Sequence, residues 1–481
     1  RRLGVSASRR LGGVVRSSPH SLRSRSSLPP LQDLVVAGGR VHESVAVTTS
    51  SHGMTLRALG PIAKGALIVG LPGQLQLSQD PASDPESLTQ LIQLVPKELW
   101  GGKLALKLLY ERYRGEDSPF APYIGSLPVG FPGIPIFWSK AELDALEYPP
   151  VSSQVVKRCR WLVEFCGMEA VRRLGGHVFG KEAARVLSPN TLGWALSAVT
   201  SRAFRPGGEG GAAALLPLID MCNHDQAPNA RVSASDSRAL NLQALRDIAP
   251  GEDVTLSYGE LPNDFLLLDY GFVVEDNAHD SVTLSFDPGF VEAAKAVANV
   301  GSAVDDMKVQ TWQARALNRL GLTTQNKEVH MLSVQAEGDP PVDERLLAGI
   351  RVLCCTREDL VQAGLHTLGK WTPARTGAWE ASVLKTAVGM GLIGLSQFST
   401  SAEEDQRLLA GDASSDMKLA ISLRLGKKAV LTRCIQALEA RLKDVGDEGD
   451  EGVVGAVGVV GPRKKKQRER GKKPGKGFGG V

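Results

Sequence analysis

Two short segments contain the side chains that are best suited to chemistry. In the first, an apolar run ends in Asp220. The polar residues that follow it are Asn223, His224, Asp225 and Asn229. In the second, Tyr258 and Tyr270 each end an apolar run and are each followed by a glycine. Polar groups at the end of an apolar run lie at the rim of a core, and a following glycine lets the backbone turn away from a ligand. We therefore predict that both segments contribute to one site.

Simpler interpretations of the same residues remain open from the pattern alone. The tetrapeptide 222–225, CNHD, is also typical of a turn whose side chains cap a strand or helix end. Cys222 and His224 suggest a thiol nucleophile with a base, yet residues two apart on a strand share a face without being placed for proton transfer. His224 and Asp225 have no further metal ligands near them in the sequence, so we expect no metal site. Tyr258 and Tyr270 alone would be ordinary core or rim aromatics.

Two similar segments of the sequence predict the strands that position this site. Segment 58–72, ALGPIAKGALIVGLP, resembles segment 244–259, ALRDIAPGEDVTLSYG. Each is typical of a strand, an Ile-x-x-Gly turn and a second strand. Two similar hairpins far apart in the chain indicate one β-domain whose halves are separated by an insertion.

The insertion, about residues 85–210, is predicted to be helical because its apolar residues recur at helical spacing. Ser188 and Asn190 are predicted N-caps within it. The Pro-rich and aromatic loop 118–138 should be stiff, with little regular structure. Beyond residue 288, amphipathic helical stretches with Gly, Pro and Ser breaks continue to about residue 445, which predicts a separate helical domain.

The two ends of the chain differ in composition from the rest. Residues 1–30 are rich in Arg and Ser and contain no acidic residue, which favours an organellar transit peptide; a disordered basic arm is the alternative. The chain does not begin with Met, so we expect the true N-terminus to lie further upstream. Residues 446–481 form a Gly-rich linker and a basic tail that we expect to be disordered. Nucleic-acid contact through this tail is a weaker alternative, because no recognised nucleic-acid module accompanies it.

Overall composition narrows the class of protein. The chain has 481 residues, of which 42% are hydrophobic and 22% charged, as in ordinary globular proteins of several domains. No apolar run approaches the ~18 residues that a membrane helix needs, so we expect no membrane span. The six cysteines contain no C-x-x-C pair, which favours a reducing compartment over a disulfide scaffold or structural zinc site.

In combination, these motifs resemble those of SET-domain methyltransferases. DMCNH (220–224) with the following PN, SYG (257–259) and LLLDYGF (266–272) are similar to the two C-terminal signature segments of that family. They are most similar to the branch typified by the RuBisCO large-subunit lysine methyltransferase, which includes actin-histidine enzymes. EEDQRLL (403–409) and LRLGKKAVLTRCIQAL (423–438) resemble the C-terminal substrate-binding domain of that branch. The implied fold is α+β: a SET β-fold of small sheets with a helical insertion, residues 33–280, then an all-α domain, residues 281–445.

The resemblance implies S-adenosylmethionine as the cofactor and assigns residues to it. Arg202 would pair with the cofactor carboxylate, and Asn223 and His224 would hold its ammonium and adenine ends. Asp220 would border the cofactor. Tyr258 matches the family's active-site tyrosine, so we expect it to serve both cofactor binding and catalysis.

An early loop is also implied to close over the methionine part of the cofactor. Its residues are His52, Gly53 and Met54. Where the family usually has Gly-Leu-Gly-Leu, this chain has Gly53-Met54-Thr55-Leu56, and Thr55 in place of glycine removes backbone freedom. This departure motivates an alternative function, a SET-like binding scaffold without catalysis.

The implied activity is protein-lysine N-methylation of a non-histone protein, with protein-histidine methylation as the alternative. A phenol of pKa about 10 is a poor base, so we expect Tyr258 to orient and stabilise charge, and Tyr270 to form part of the wall around the target nitrogen. The expected partner is a protein substrate, with the RuBisCO large subunit, aldolase or a ribosomal protein as candidates. We expect a monomer in the chloroplast, with the nucleus or cytoplasm as alternatives.

Overall fold

The computed structural model describes residues 33, 35, 38–50, 53–205, 212–234, 239–284, 286–301, 309–322, 330–333, 341–370 and 377–445. The predicted N-terminal transit peptide or basic arm (1–32), the linker and tail (446–481) and His52 lie outside the described residues.

The strands form several small sheets. Their bounds are β1 Arg40–Val41, β2 Val45–Ser50, β3 Gly53–Ala58, β4 Leu67–Leu71, β5 Leu77–Ser78, β6 Ala203–Phe204, β7 Ala214–Leu215, β8 Asn223–His224, β9 Ala230–Ala234, β10 Leu240–Ala244, β11 Thr255–Leu256, β12 Ser281–Leu284 and β13 His330–Ser333. The largest sheet is antiparallel in the order β1-β4-β10-β9, and a three-stranded sheet has the order β5-β7-β6. Strands β2 and β3, β8 and β11, and β12 and β13 form two-stranded sheets.

The two echoed hairpin segments lie against each other. Ile62 and Ile248 occupy equivalent positions in the two segments and form an antiparallel bridge. Each backbone N donates to the other's carbonyl, at 3.0 Å from Ile62 and 2.9 Å from Ile248. Strands β4 and β10 extend the pairing on one side, and a second bridge joins Arg57 to Asp253 on the other. The prediction of one β-domain assembled from two distant segments is confirmed.

Helices fill the chain between β5 and β6. Their bounds are α1 Glu86–Gln93, α2 Trp100–Arg114, α3 Ala121–Ser126, α4 Lys140–Ala145, α5 Pro149–Gly167, α6 Glu169–Phe179, α7 Ala183–Val186 and α8 Pro189–Thr200. Ser188 is the N-cap of α8, because its side chain accepts a hydrogen bond from Thr191 N at 3.2 Å. The prediction that Asn190 is also a cap is wrong, since it lies inside α8.

The loop 118–138 is more regular than predicted. It contains α3 and a 3-10 turn, Pro135–Phe137. Pro122 is the second residue of α3, where the fixed φ of proline suits a helix and its missing N–H has no intrahelical partner to lose. The expectation of little regular structure therefore fails for this short helix.

Beyond β11 the chain is mainly helical. The helices are α9 Asn263–Phe265, α10 Pro288–Val297, α11 Thr311–Arg319, α12 Glu344–Cys354, α13 Arg357–Ala363, α14 Ala378–Ser396, α15 Ala402–Leu409 and α16 Ser415–Val445. Strands β12 and β13 add a two-stranded sheet to this otherwise helical region. The predicted fold class, α+β with small sheets, a helical insertion and a mainly helical C-terminal region, is confirmed. The expectation that residues 281–445 are all-α is wrong, because β12 and β13 lie within them.

Two apolar cores divide the described residues. The first joins the β-domain to most of the insertion, and the second is built mainly from the C-terminal helices. The second core also contains side chains of the insertion, among them Leu146, Tyr148, Val151 and Val155. The insertion thus packs against both parts of the molecule. Among the described residues, every helix is too short or too polar to cross a bilayer.

Candidate functional site

The site is organised by the parallel pair of β8 and β11. Asn223 lies opposite Thr255 and His224 opposite Leu256. Asp225 N continues the pairing by donating to Leu256 O at 2.9 Å. Two strands that run in parallel place their following residues at the same edge. The chain after His224 and the chain that leads to Tyr258 therefore emerge side by side.

Asn229 fixes the register of this pair. Its Oδ1 accepts from Thr255 N at 2.8 Å, and its Nδ2 donates to Asp253 O at 2.8 Å. Thr255 Oγ1 in turn accepts from Asn229 N at 3.2 Å. Asn229 is buried, so these bonds satisfy an amide that would be costly to bury unpaired. Its role is to hold the strands, whereas the sequence alone placed it among the polar groups of the site.

Four rings form one aromatic cluster at the edge of the strand pair. The rings of Tyr258 and Tyr270 are stacked with their centroids 4.7 Å apart. His224 lies 5.3 Å from Tyr258, and Phe272 lies 6.2 Å from Tyr270. Centroid separations of 4.5–7 Å are favourable for aromatic pairs. The structure thus brings together both predicted tyrosines and His224, and adds Phe272, for which the sequence pattern indicated no role.

The hydroxyl of Tyr258 is held by the backbone of the first segment. Tyr258 Oη donates to Cys222 O at 2.9 Å, and Tyr258 N donates to His224 Nδ1 at 3.2 Å. Burial raises the pKa of the Tyr258 phenol well above its ordinary value. The phenol therefore keeps its proton at neutral pH and does not serve as a base there, which agrees with an orienting role.

Tyr270 ends a short π-helical segment, Leu266–Tyr270, that follows α9 directly. Gly271 has a φ of +78°, which lets the chain turn after the tyrosine. The backbone of Gly133 from the insertion lies so close that a Cβ there would be 2.2 Å from Gly271 O. Burial raises the pKa of Tyr270 to about 12, so this phenol is neutral as well.

The close approach at Gly133 gives a first testable prediction. Gly133→Ala should push Gly271 away and displace Tyr270, at a cost in unfolding free energy of about 1–3 kcal/mol. Gly130→Ala is the matched control in the same loop, because a Cβ there would meet no atom within 4 Å. Urea unfolding of both variants measures the difference. Equal stability of the two would show that the contact between Gly133 and Gly271 is not a constraint.

A buried polar triad lies beside the aromatic cluster. Arg202 Nη1 donates to Asp220 O at 3.1 Å and Asp220 Oδ2 at 3.4 Å, and Tyr123 Oη donates to Asp220 Oδ2 at 2.7 Å. The Asp220 side chain has 0% exposure, and burial raises the pKa of its carboxyl. Tyr123 is fully buried and was not predicted as a site residue. The only sequence feature of Tyr123 was its position in a Pro-rich loop, and no sequence pattern linked it to Asp220.

Gly53 and Met54 lie at the exposed start of β3. Strand β3 contacts the 3-10 turn Ile219–Met221, which carries Asp220, so the strand is close to the triad. Thr55 is buried and lies opposite Thr48 in the regular β2–β3 ladder, where an extended residue needs no glycine. The cofactor roles predicted for Gly53 and Met54 stay predictions.

The thiol alternative does not suit the geometry. Cys222 is buried, and burial raises the pKa of its thiol far above the ordinary value, so the thiol stays protonated. The Nδ1 of His224 is already occupied by Tyr258 N, and burial lowers the pKa of this imidazole. Within the described residues, no cluster of three or more His, Cys, Asp or Glu side chains could hold a metal ion.

Two family models match the sequence. One, described as the SET domain, matches residues 53–259, and one, described as Rubisco LSMT substrate-binding, matches residues 305–431. The first spans β3 to β11, the insertion, Arg202, Asp220 and Tyr258. The second spans most of the helices beyond β12. The predicted limits of the domains stay predictions.

Individual proteins are similar to this chain over much of its length. The actin-histidine N-methyltransferase of Danio rerio is 28% identical over 357 residues, which cover 70% of this chain and 55% of that protein. The chain thus spans little more than half of that relative. Among solved structures, the SET domain of LSMT bound to lysine and AdoHcy has a TM-score of 0.66 and 19% identity, and covers 87% of this chain and 93% of that one. Rubisco LSMT bound to AdoMet has a TM-score of 0.62 and 20% identity, with the same coverage. At these identities the likeness establishes the fold.

Proposed function

We propose that this chain, which combines a SET domain with a Rubisco LSMT substrate-binding domain, is an S-adenosylmethionine-dependent protein N-methyltransferase with lysine as its preferred acceptor. The observation that carries this proposal is that a hydroxyl, a backbone carbonyl and an aromatic ring lie next to one another. Tyr258 Oη and Cys222 O are 2.9 Å apart, and the ring of Tyr270 stacks on that of Tyr258. A carbonyl, a phenol and an aromatic ring at one place are groups suited to surround a neutral amine.

Unpaired buried atoms support the cofactor assignment. Among the described residues, Arg202 Nε and Asp220 Oδ1 are buried without a hydrogen-bond partner. An open donor and an open acceptor on the two members of one ion pair fit an amino acid moiety, because its carboxylate needs a donor and its ammonium needs an acceptor. Arg202 would thus hold the carboxylate of S-adenosylmethionine, with the Asn223–His224 backbone beside it. When bound, this cofactor supplies a methyl group on a positively charged sulfur.

The protein's own contribution is to hold the amine of the substrate lysine neutral and aligned with the bond between sulfur and methyl carbon of the cofactor. A lysine of pKa about 10.4 costs roughly 4 kcal/mol to deprotonate near neutral pH. The half-buried rings of Tyr258, Tyr270 and Phe272 exclude water, and desolvation lowers the pKa of an amine. Because Tyr258 keeps its own proton, the proton of the amine leaves to solvent, and the Tyr258 hydroxyl orients the acceptor.

Calorimetry and mass spectrometry test the proposal in sequence. Titration with S-adenosylhomocysteine should give saturable heat, and no binding at high micromolar ligand would exclude the cofactor. Protein extracts that lack the enzyme would then be incubated with the chain and S-adenosylmethionine bearing a deuterated methyl group. Labelled lysines are the expected product. Binding without any labelled residue would favour the alternative of a SET-like scaffold without catalysis.

Histidine is the second candidate acceptor, because similar proteins of this branch are actin-histidine N-methyltransferases. The pH dependence of the rate separates the two. With a lysine substrate, kcat/KM should rise about tenfold per pH unit from about pH 7 to 9, since only the neutral amine reacts. With a histidine substrate it should level off above about pH 6.5, the ordinary pKa of imidazole. Rates on the labelled protein in buffers across this range make the distinction.

The protein substrate is proposed from the second domain. A helical domain described as substrate-binding follows the SET domain, so docking there would select the target. Candidate targets are the RuBisCO large subunit, aldolase and ribosomal proteins, and the similar proteins add actin. A monomeric state and a chloroplast location, with the nucleus or cytoplasm as alternatives, stay predictions.

A further inference from the structure

Lys427, from helix α16, is buried where that helix meets the insertion and the chain after β11. Its side chain has 0% exposure. The Nζ pairs with Asp264 and lies 2.6 Å from Asp280 Oδ1, and it donates to Ser281 O at 2.8 Å. It also lies 5.3 Å above the ring of Tyr148. One ammonium therefore connects α16, the start of β12, the insertion and α9.

The carboxylate partners of Lys427 hold the base of the segment that carries Tyr270. We call residues 263–274 the tyrosine segment. Asn263 N donates to Asp280 Oδ1 at 3.0 Å, and Asn263 Nδ2 donates to Asp280 Oδ2 at 3.1 Å. Asn263 also closes the segment, because its Nδ2 donates to Val274 O and its Oδ1 accepts from Val274 N, both at 2.9 Å.

The far side of the tyrosine segment rests on the insertion. Arg158 Nη1 donates to Leu268 O at 2.8 Å and lies 2.7 Å from Asp269 Oδ1. Gly133 packs against the turn at Gly271. The segment is thus held at its base by Lys427 and Asp280 and at its apex by the insertion. Within the described residues these contacts leave little freedom for Tyr270 to move independently.

We propose that Lys427 is a positioning residue for Tyr270, so that the C-terminal helical domain supports the geometry of the active site in addition to docking the substrate. Lys427 binds Asp264 and Asp280, these residues fix the base of the tyrosine segment, and the segment presents the Tyr270 ring against Tyr258. Without the ammonium, Asp264 and Asp280 would be two buried carboxylates that repel each other, and the base of the segment would shift. The inference rests on the proposed function for its kinetic consequence only.

Lys428 supplies a matched control on the same helix. Its side chain is also buried, and its Nζ lies 2.6 Å from Asp405 Oδ2. Lys428 also donates to Thr400 O at 2.7 Å, but none of these partners belongs to the tyrosine segment. Lys427→Met and Lys428→Met therefore each remove one buried ammonium from α16, and only the first disturbs Tyr270.

The test combines a spectroscopic probe with kinetics on the full chain. With 3-fluorotyrosine at position 270, the fluorine NMR resonance should shift or broaden in Lys427→Met and stay in place in Lys428→Met. On a short peptide substrate, kcat should fall about 10–100-fold in Lys427→Met, because small displacements of catalytic groups are costly. Affinity for S-adenosylhomocysteine should be unchanged in both variants.

Further variants separate positioning from loss of fold. Lys427→Met combined with Asp264→Asn removes one of the two carboxylate charges, and with it their mutual repulsion, so it should restore folding while the fluorine resonance stays displaced. Lys427→Arg keeps a cation and should restore part of kcat. An unchanged resonance in folded Lys427→Met, or an equal fall of kcat in Lys428→Met, would overturn the proposal. The NMR result stands even if the wild-type chain transfers no methyl group, so failure of the proposed function is distinguished from failure of this inference.

Discussion

Tyr258→Phe is expected to slow methyl transfer about 100-fold while leaving affinity for S-adenosylhomocysteine within about twofold, the size of effect seen when one preorganised polar group is removed from an active site. The hydroxyl is anchored on Cys222 O, and its pKa is raised by burial, so it acts as a neutral, oriented dipole. Phenylalanine keeps the ring stacked on Tyr270 but removes that dipole. Single-turnover kinetics followed by mass spectrometry measure the loss.

Two comparisons make the Tyr258 result specific. Tyr270→Phe should have a smaller effect, because the stacked ring rather than its hydroxyl forms the wall. Tyr113→Phe removes a hydroxyl from an exposed tyrosine of α2 and should leave the rate unchanged. A Tyr258→Phe variant as fast as wild type would remove this hydroxyl from the mechanism.

The parts of the fold that could be predicted from the sequence were those specified by local sequence patterns. The two Ile-x-x-Gly hairpins predicted one divided β-domain, and the bridge between Ile62 and Ile248 joins their equivalent positions. Helical spacing likewise located the insertion and the C-terminal helices. The misassigned cap at Asn190 shows the limit of such signals, since Ser188 and Asn190 are equally suited to a cap and only one can precede the helix.

The groups that support the site could not be predicted, because their contacts join distant segments. Tyr123, from α3 of the insertion, donates to Asp220, and Lys427, from α16, donates to Asp280. Lys427 and Lys428 are adjacent and would both be taken for surface cations from sequence. In the structure both are buried and each forms an ion pair with a carboxylate. Which carboxylate each lysine contacts depends on how distant segments pack, so it cannot be predicted from sequence.

Arg202→Met is expected to lower the unfolding free energy by about 3–5 kcal/mol, because it leaves a buried carboxylate without its cation. Asp220 has a fully buried side chain, and Tyr123 would remain its other partner. Arg57→Met is the matched control, since Arg57 and Asp253 form a pair of similar chemistry at 2.6 Å in which both side chains are about one-third exposed. That solvent-exposed pair should contribute far less, because water screens the attraction between its charges. Urea unfolding of the two variants measures both effects.

The same variant also tests whether Arg202 binds the cofactor or only stabilises Asp220. Combining Arg202→Met with Asp220→Asn removes both charges, so much of the lost stability should return. Affinity for S-adenosylhomocysteine should stay at least about tenfold weaker, because its carboxylate has lost a charged partner. Calorimetry on the double variant, with Asp220→Asn alone as the reference for the altered acceptor, separates the two roles. An affinity equal to that of Asp220→Asn would show that Arg202 serves the fold alone, whereas an affinity at least about tenfold weaker than that of Asp220→Asn assigns the open Nε edge of Arg202 to the cofactor.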